Sequence, residues 1–244
     1  MGQSYFIFNG RDCREMGVRL TSPLELVRPE ERVEHIQIPG RAGDLTRLEG
    51  DDVYNSYIHT AEISVQGELN VRNAFNWLKG SGYLTTSSEP DRRQMARVIG
   101  AITLDKLSKN LDIWKGQVQF YCQPLKELLW EPTETLTAAG TITNNGDVAS
   151  RPMIKATASG GTLSITQSWT DGASSGHTNL SIQGRTAGQV IWIDCESMEI
   201  WDETMGNLLT VFASGAFPAL KPGANAISGS GWSELVFQKR ERYL

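Results

Sequence analysis

The chain has 244 residues, of which 39% are hydrophobic, and its formal net charge is −5. This length allows two ordinary domains or one large β domain. A membrane-spanning helix needs about 20 apolar residues, and no apolar run approaches that length. The net negative charge and the lack of segments rich in basic and aromatic residues argue against specific nucleic-acid binding. The N-terminus has neither a basic nor an apolar signal region, so we expect synthesis and assembly in a cytoplasm and no membrane insertion.

The first elements are short strands around a tight turn. Tyr5 to Phe8 form an apolar strand, and Asn9-Gly10 is a strong signal for a two-residue hairpin. A second strand is therefore expected to about Arg14, with a further one over Met16 to Leu20. Residues 22–31 contain two prolines and are expected to be irregular.

A long polar hairpin follows these strands. Val33 to Ile38 has strand-like spacing and stops at Pro39-Gly40, where proline fixes φ and glycine permits a positive φ. Two more glycines and alternating charges lead to Gly50, which is typical of a mobile hairpin loop. Tyr57 to Leu69 then alternates again and is expected to be a strand.

One amphipathic helix is predicted over Val71 to Lys79, with Asn70 as N-cap and Gly80 after its C-terminus. Its expected buried face consists of residues at helical spacing, namely Val71, Ala74, Phe75 and Leu78. Further strands are predicted over Tyr83 to Thr86, Met95 to Leu107 and Ile113 to Tyr121, with a turn over Ser87 to Asp91.

The composition changes near Pro132, and Thr133 to Ala139 is predicted to be a polar hinge. Residues 1–133 contain 16 Lys and Arg against 7 in residues 134–244. We therefore expect two domains, 1–132 and 133–244. The first is expected to be a β domain with one short helix.

The second half is predicted to be a β-sandwich, because its strands are short, evenly punctuated by turns and not interrupted by helices. The expected strands are Thr141 to Thr143, Pro152 to Ala158, Thr162 to Ile165, Leu180 to Ile182, Val190 to Asp194, Met198 to Trp201 and Leu235 to Phe237. Trp192 and Trp201 lie in apolar strands and are expected in the core. Trp169 and Trp232 flank Gly/Ser-rich turns and are candidates for exposed sugar-stacking residues.

No arrangement of residues predicts catalysis, a cofactor or a metal. The three cysteines, Cys13, Cys122 and Cys195, lie far apart and are expected to be buried thiols. The acidic cluster from Asp194 to Glu203 could hold Ca²⁺ or supply paired carboxylates for glycoside cleavage. A solvated hairpin is the favoured interpretation of this cluster.

The order of several motifs over nearly the whole chain resembles the distal tail protein (Dit) of long-tailed bacteriophages. The N-terminal motifs are Phe8-Asn9-Gly10, Met16-Gly17-Val18, Ile38 to Gly43, Trp77-Leu78, Gly82-Tyr83-Leu84, and Gly116 to Phe120 before Gln123-Pro124. The C-terminal motifs are Ile142 to Gly146, Ser150-Arg151-Pro152, Ile193 to Glu196, and Phe217 to Asn225.

This resemblance implies a structural role in the virion. The N-terminal domain would be β-barrel-like and would form a homo-hexameric ring around the DNA channel. The C-terminal sandwich, similar to galectins or carbohydrate-binding modules, would meet other proteins. The implied partners are the tail tube protein, the tail-tip hub (a tail-associated lysin or fibre) and receptor-binding proteins.

The polar hairpin is the candidate for intersubunit or tube contacts, because a lone monomer has no evident use for it. Its candidate contact residues are Pro39, Gly40, Arg41, Gly43, Asp44, Leu45, Arg47 and Leu48. The alternative function is a carbohydrate-binding protein or small glycosidase acting on cell-wall polysaccharide.

Overall fold

The computed structural model describes residues 4–108, 110–172, 174–209 and 212–244. The described chain is mainly β with one α-helix, which confirms the predicted fold class. It divides into two compact units, one of residues 4–129 with Leu244 and one of Trp130–Tyr243. No helix of the described residues is long and apolar enough to cross a membrane.

The described residues of the first unit form ten strands and the helix. They are β1 Phe6–Phe8, β2 Arg11–Asp12, β3 Val18–Leu20, β4 Val33–Ile36, β5 Leu45–Leu48, β6 Tyr57–Gln66, α1 Glu68–Trp77, β7 Ser81–Thr86, β8 Glu89–Ile99, β9 Leu104–Ser108 and β10 Leu111–Leu128.

A curled antiparallel sheet forms the first unit, with strand order β2-β1-β7-β8-β10-β6-β3 and with β9 paired to β10. The predicted Asn9-Gly10 hairpin joins β1 to β2, and both of its residues have positive φ (51° and 74°), as a type I′ turn requires. Strand β10 runs alongside β6 from Ile113 to Cys122 and lies at the centre of the sheet. Its inner face and α1 enclose the first core, which includes Phe6 and Phe120.

The helix differs from its prediction at both ends and on one face. It runs over Glu68–Trp77 with Gly67 as N-cap, and no side chain caps it. Phe75 is 42% exposed, whereas Trp77 is buried and its Nε1 donates to the Phe8 carbonyl oxygen at 2.9 Å. Val71, Ala74 and Leu78 are buried as predicted, whereas the prediction for Phe75 is wrong, because Trp77 occupies the buried face in its place.

The strands after the helix differ from their predicted bounds. The predicted turn over Ser87 to Asp91 shortens to two residues, since Thr86 pairs with Glu89. The predicted strand over Met95 to Leu107 is interrupted after Ile99, where Gly100 has φ of 70°. Strand β10 extends well beyond the predicted Ile113 to Tyr121 because it pairs with β9 near its start, with β6 over its middle and with β8 as far as Leu128.

Eleven strands are formed by the part of the second unit that the structure describes. They are β11 Thr133–Leu136, β12 Gly140–Asn144, β13 Met153–Ala158, β14 Gly161–Asp171, β15 Ser174–Arg185, β16 Val190–Asp194, β17 Glu199–Asp202, β18 Ala213–Gly215, β19 Gly223–Ser230, β20 Trp232–Gln238 and β21 Arg242–Tyr243.

Two five-stranded antiparallel sheets form the predicted sandwich. Their orders are β11-β20-β13-β16-β17 and β12-β19-β14-β15-β18. The core between them draws from both sheets, with Ile154 and Phe237 from one and Ile165 and Ile182 from the other. The predicted hinge over Thr133 to Ala139 is wrong, because its first four residues form β11 and pair with β20.

Candidate assembly surface

The predicted polar hairpin is an exposed two-stranded arm. In this arm, defined as residues 33–53, Val33 pairs with Leu48 and Ile36 with Leu45, and β4 and β5 form a sheet of their own. The structure therefore corrects the predicted loop after Pro39, since its second half is a strand. Gly40 and Gly43 have positive φ (81° and 78°) in the connection between the strands, which glycine adopts without steric cost.

All eight candidate contact residues lie on this arm and are exposed. Pro39, Gly40, Arg41, Gly43 and Asp44 belong to the connection, and Leu45, Arg47 and Leu48 belong to β5.

Hydrogen bonds anchor the arm at its base. The Arg32 amide donates to the Val53 carbonyl oxygen at 2.9 Å, and the Glu49 amide donates to the Arg32 carbonyl oxygen at 3.2 Å. The Arg32 guanidinium lies 3.7 Å from the Glu49 carboxylate, and both side chains are about half exposed. Such an exposed ion pair contributes little stability, so the backbone bonds hold the base.

The arm exposes more apolar surface than an isolated hairpin favours. Ile38, Leu45 and Leu48 are 40%, 41% and 56% exposed. A two-stranded sheet is marginally stable without packing against another element, and clustered exposed apolar residues are typical of interaction sites. The arm is thus a candidate interaction surface.

The acidic cluster of the second unit is a set of ion pairs and turn caps. Asp194 receives two hydrogen bonds from the Arg240 guanidinium, at 2.7 and 3.2 Å, and one from the Glu196 amide at 2.9 Å. Burial raises the pKa of Asp194, but these hydrogen bonds outweigh it and the net pKa is lowered. Its carboxylate oxygens accept hydrogen bonds from Arg240 and from the turn, which fits a structural use better than catalysis.

Asp202 is held in the same way by its own turn. Its carboxylate accepts from the Asn207 amide group, the Thr204 hydroxyl and the Gly206 backbone amide. The hydrogen bonds from Asn207 and Thr204 lower the pKa of Asp202 to about 2. The described residues contain no group of three or more His, Cys, Asp or Glu that could hold a metal ion.

The tryptophans do not lie as predicted. Trp192 of β16 is the cross-strand partner of Trp201 of β17, and both are half-buried. They alternate with the buried Ile191, Ile193 and Ile200, so they lie on the face of the sheet opposite the core. Trp232 packs against the core and its Nε1 donates to the Ser164 carbonyl oxygen at 3.1 Å. Sequence alternation alone does not tell which face of a sheet meets the core.

The half-buried Trp169 lies beside Gly176 of the neighbouring strand. A Cβ atom at Gly176 would approach the Trp169 ring to 2.4 Å, so this glycine makes room for the indole.

The three cysteines are free and buried, as predicted. Burial raises the pKa of each thiol, and that of Cys122 rises to about 12. A thiol with a raised pKa is almost entirely protonated at neutral pH, so these cysteines are poor nucleophiles.

Several motif residues of the second half serve one buried hydrogen-bond network. Asn225 is fully buried, donates to the Lys221 and Gly223 carbonyl oxygens, and accepts from the Gln167 side chain at 2.9 Å. Asn144 donates to the Leu220 carbonyl oxygen at 2.9 Å. The segment Phe217 to Asn225 is therefore fixed by side chains from three different strands, β12, β14 and β19.

A curled β domain bearing an exposed arm, followed by a β-sandwich, defines a two-unit β architecture. The Dit protein (gp 19.1) of SPP1, described as a paradigm of the hub adsorption apparatus in phages that infect Gram-positive bacteria, is similar in structure. The match covers 100% of both chains, with a TM-score of 0.68 and 19% sequence identity. The resemblance is thus confirmed at the level of the fold. No protein-family model matches the sequence, and no curated protein matches it.

Proposed function

We propose that this protein is a structural hub of a bacteriophage tail tip and acts without catalysis. Its fold similarity to the SPP1 hub protein over the whole of both chains carries the proposal. A match of both units in one chain is more specific than a match of one common sandwich, because β-sandwiches serve many functions. The protein would be part of the virion tail, after assembly in the host cytoplasm.

The two domains would divide the work. Residues 1–132 would form a homo-hexameric ring, and residues 133–244 would fold separately and meet other tail-tip or receptor-binding proteins. The separate hydrophobic cores of the two compact units support this division. A head-to-tail contact that closes by rotation builds such a ring from a single interface.

The hairpin arm would make the contacts between neighbouring subunits or with the tail tube. Its exposure, its separate sheet and its exposed leucines support this role. The tail tube would lie on one side of the ring, and a lysin or fibre at the tail tip on the other.

DNA would pass through the ring without specific binding. Six copies with a formal charge of −5 each carry about −30 in total, which repels phosphate rather than retaining it. Basic residues would therefore serve subunit contacts rather than the channel wall.

A carbohydrate-binding protein or small glycosidase is the competing function. One observation favours sugar binding: Trp192 and Trp201 lie side by side away from the core, with the Lys155 ammonium 5.8 Å from the Trp192 ring centroid. Aromatic side chains on an open sheet face can stack on sugar rings. The ion-paired Asp194 and hydrogen-bonded Asp202 give no support to hydrolysis.

Light scattering of the purified full chain tests the proposed function. A hub of six subunits has a mass of six times the 26.9 kDa of one chain. A monomer that binds or cleaves cell-wall polysaccharide would favour the competing function instead.

A further inference from the structure

The outer face of the first sheet carries an exposed apolar and basic patch. Arg97 lies beside Tyr121, which in turn lies beside Ile58, and Tyr83 pairs with Met95 in the adjacent row. We name these five residues, with Arg93, the outer patch. It crosses four neighbouring strands, and at about 4.8 Å per strand it is about 14 Å wide.

The patch residues point away from the first core. Their neighbours in the strands, Leu84, Ala96 and Cys122, are buried, so alternation places the patch on the opposite face. Ile58, Tyr83, Met95 and Tyr121 are nevertheless 52%, 38%, 41% and 42% exposed. A polar face would be expected at these positions if the sheet met only water.

The patch contains two arginines, of which Arg93 is ion-paired with Glu127 and Arg97 is exposed. The Arg93 guanidinium lies 4.1 Å from the Tyr83 ring centroid and 3.4 Å from the Glu127 carboxylate. Arg97 is exposed in the row between Ser81 and Tyr121. Aromatic residues, methionine and arginine are the types enriched in protein interfaces.

The hairpin arm has the complementary chemistry. It contains five acidic residues against two arginines, a formal net charge of −3. The acidic residues are Glu34, Asp44, Glu49, Asp51 and Asp52. Ile36 and Leu45 are cross-strand partners and so project from one face of the arm, whereas Val33 and Leu48 project from the other.

We propose that the outer patch receives the Ile36–Leu45 face of the hairpin arm of a second copy of this chain. This inference rests on the proposed ring and identifies the two surfaces that would close it. Patch and arm are different surfaces of one chain, so the contact is head-to-tail and leaves each bound subunit with one free surface. The leucine and isoleucine meet the tyrosines and methionine. The charges of Glu34 and Arg47 on this face oppose each other, but the net negative charge of the whole arm favours its approach to Arg97.

Two variants that each lose one surface test the proposal. Leu45→Glu damages the arm and Tyr121→Glu damages the patch, and both positions are exposed, so folding is retained. Each variant alone should be a monomer. Mixed in equal amounts, they should form a dimer of twice 26.9 kDa, because the intact patch of the first binds the intact arm of the second.

Leu111→Glu is the matched control. Leu111 is 48% exposed in the same strand as Tyr121, and ten residues at 3.4 Å separate them by about 34 Å. This variant should assemble like the unmodified chain. Thermal melts of all three variants check that each is folded.

Engineered cysteines make the test independent of a stable ring. Leu45→Cys in one chain and Met95→Cys in another, of different tag length, should form a mixed disulfide under mild oxidation. Leu111→Cys in place of Met95→Cys should form at least tenfold less. The native thiols are buried and do not compete.

The outcomes separate the two claims. If the unmodified chain forms rings but the mixed variants stay monomeric or the cysteines do not cross-link, the patch–arm contact is wrong and the hub proposal stands. If the unmodified chain is monomeric, the ring is wrong, and the disulfide yield alone supports or overturns the contact.

Discussion

Asn225 is a fully buried polar residue at the centre of the hydrogen-bond network of the second unit. Its amide is satisfied by backbone and side-chain partners on both of its atoms. Removing it leaves Gln167 and the backbone around Lys221 with unmade hydrogen bonds, and each such buried group costs about 1–3 kcal/mol.

We therefore expect Asn225→Ala to lower the free energy of unfolding by about 2–4 kcal/mol in urea titrations. Asn179→Ala is the control. Its amide also donates two hydrogen bonds, at 3.2 and 2.7 Å, but the residue is exposed, so the loss should be within about 0.5 kcal/mol. If both variants lose the same free energy of unfolding, the buried network contributes no more stability than an exposed hydrogen bond.

His59 links the stability of the first unit to pH. Burial lowers the pKa of this imidazole below its ordinary value of 6.5, and the Lys126 ammonium lowers it further, while Glu25 and Glu89 act in the opposite direction. A lowered pKa means that the folded state binds the proton more weakly than the unfolded state. Stability from neutral His59 is complete above pH 6.5 and falls as the pH drops towards its folded pKa.

Urea titrations at pH 7.5 and pH 5.5 measure this dependence. The slope due to one histidine is at most about 1.4 kcal/mol per pH unit. His59→Gln, which cannot take up the proton, should flatten the curve in this window even if it is less stable overall. An unchanged slope in the variant would show that groups other than His59 cause the pH dependence in this window.

At the scale of elements, the hairpin arm is separable from the fold that carries it. Deleting Arg41 to Glu49 removes β5 and the tip, which are exposed and pair only with β4 among the described strands. We expect the melting temperature of the remaining chain to change little, because no core residue is lost. Assembly into virions should be abolished, since the neighbour would lose its contact.

Plaque formation by phage carrying the deletion is the measurement. If the deletion phage forms plaques as often as the unmodified phage, the arm is not needed for assembly. A large fall in melting temperature would instead show that the arm stabilises the monomer, and the loss of plaques would then be uninformative about contacts.

Local signals predicted those elements that local chemistry determines. Asn9-Gly10 formed its hairpin because both residues tolerate positive φ. Strand β16 has the predicted bounds because five alternating residues precede a turn. The helix start was misplaced by three residues because Gly67, and not a capping side chain, begins it.

Elements that depend on partners distant in the chain could not be predicted from short segments of sequence. Thr133–Leu136 resembled a hinge because its partner, β20, lies about 100 residues away in the chain. Trp192 and Trp201 resembled core residues because their strands are apolar on both faces. The outer patch follows from the registers of four strands, which no short segment contains.

At the scale of the whole molecule, the proposed domain boundary can be tested with two fragments of the chain. A fragment of residues 133–244 should be soluble and monomeric, because it contains all of β11 to β21 and its own core. A fragment of residues 1–132 should retain the ability to oligomerise, since both the arm and the outer patch belong to it.

Light scattering of the two fragments distinguishes their roles. Oligomers formed by residues 133–244 alone would reverse the assignment of the ring. Failure of that fragment to unfold cooperatively would show that it is not an independent domain.

Electron microscopy of the purified full-length chain tests the central claim, that this protein is a ring-shaped hub, most directly. Two-dimensional averages should show rings of six subunits around an open centre, with the sandwich domains as separate lobes. The claim would be contradicted by particles of the size of one 26.9 kDa chain or by closed two-fold dimers without a channel.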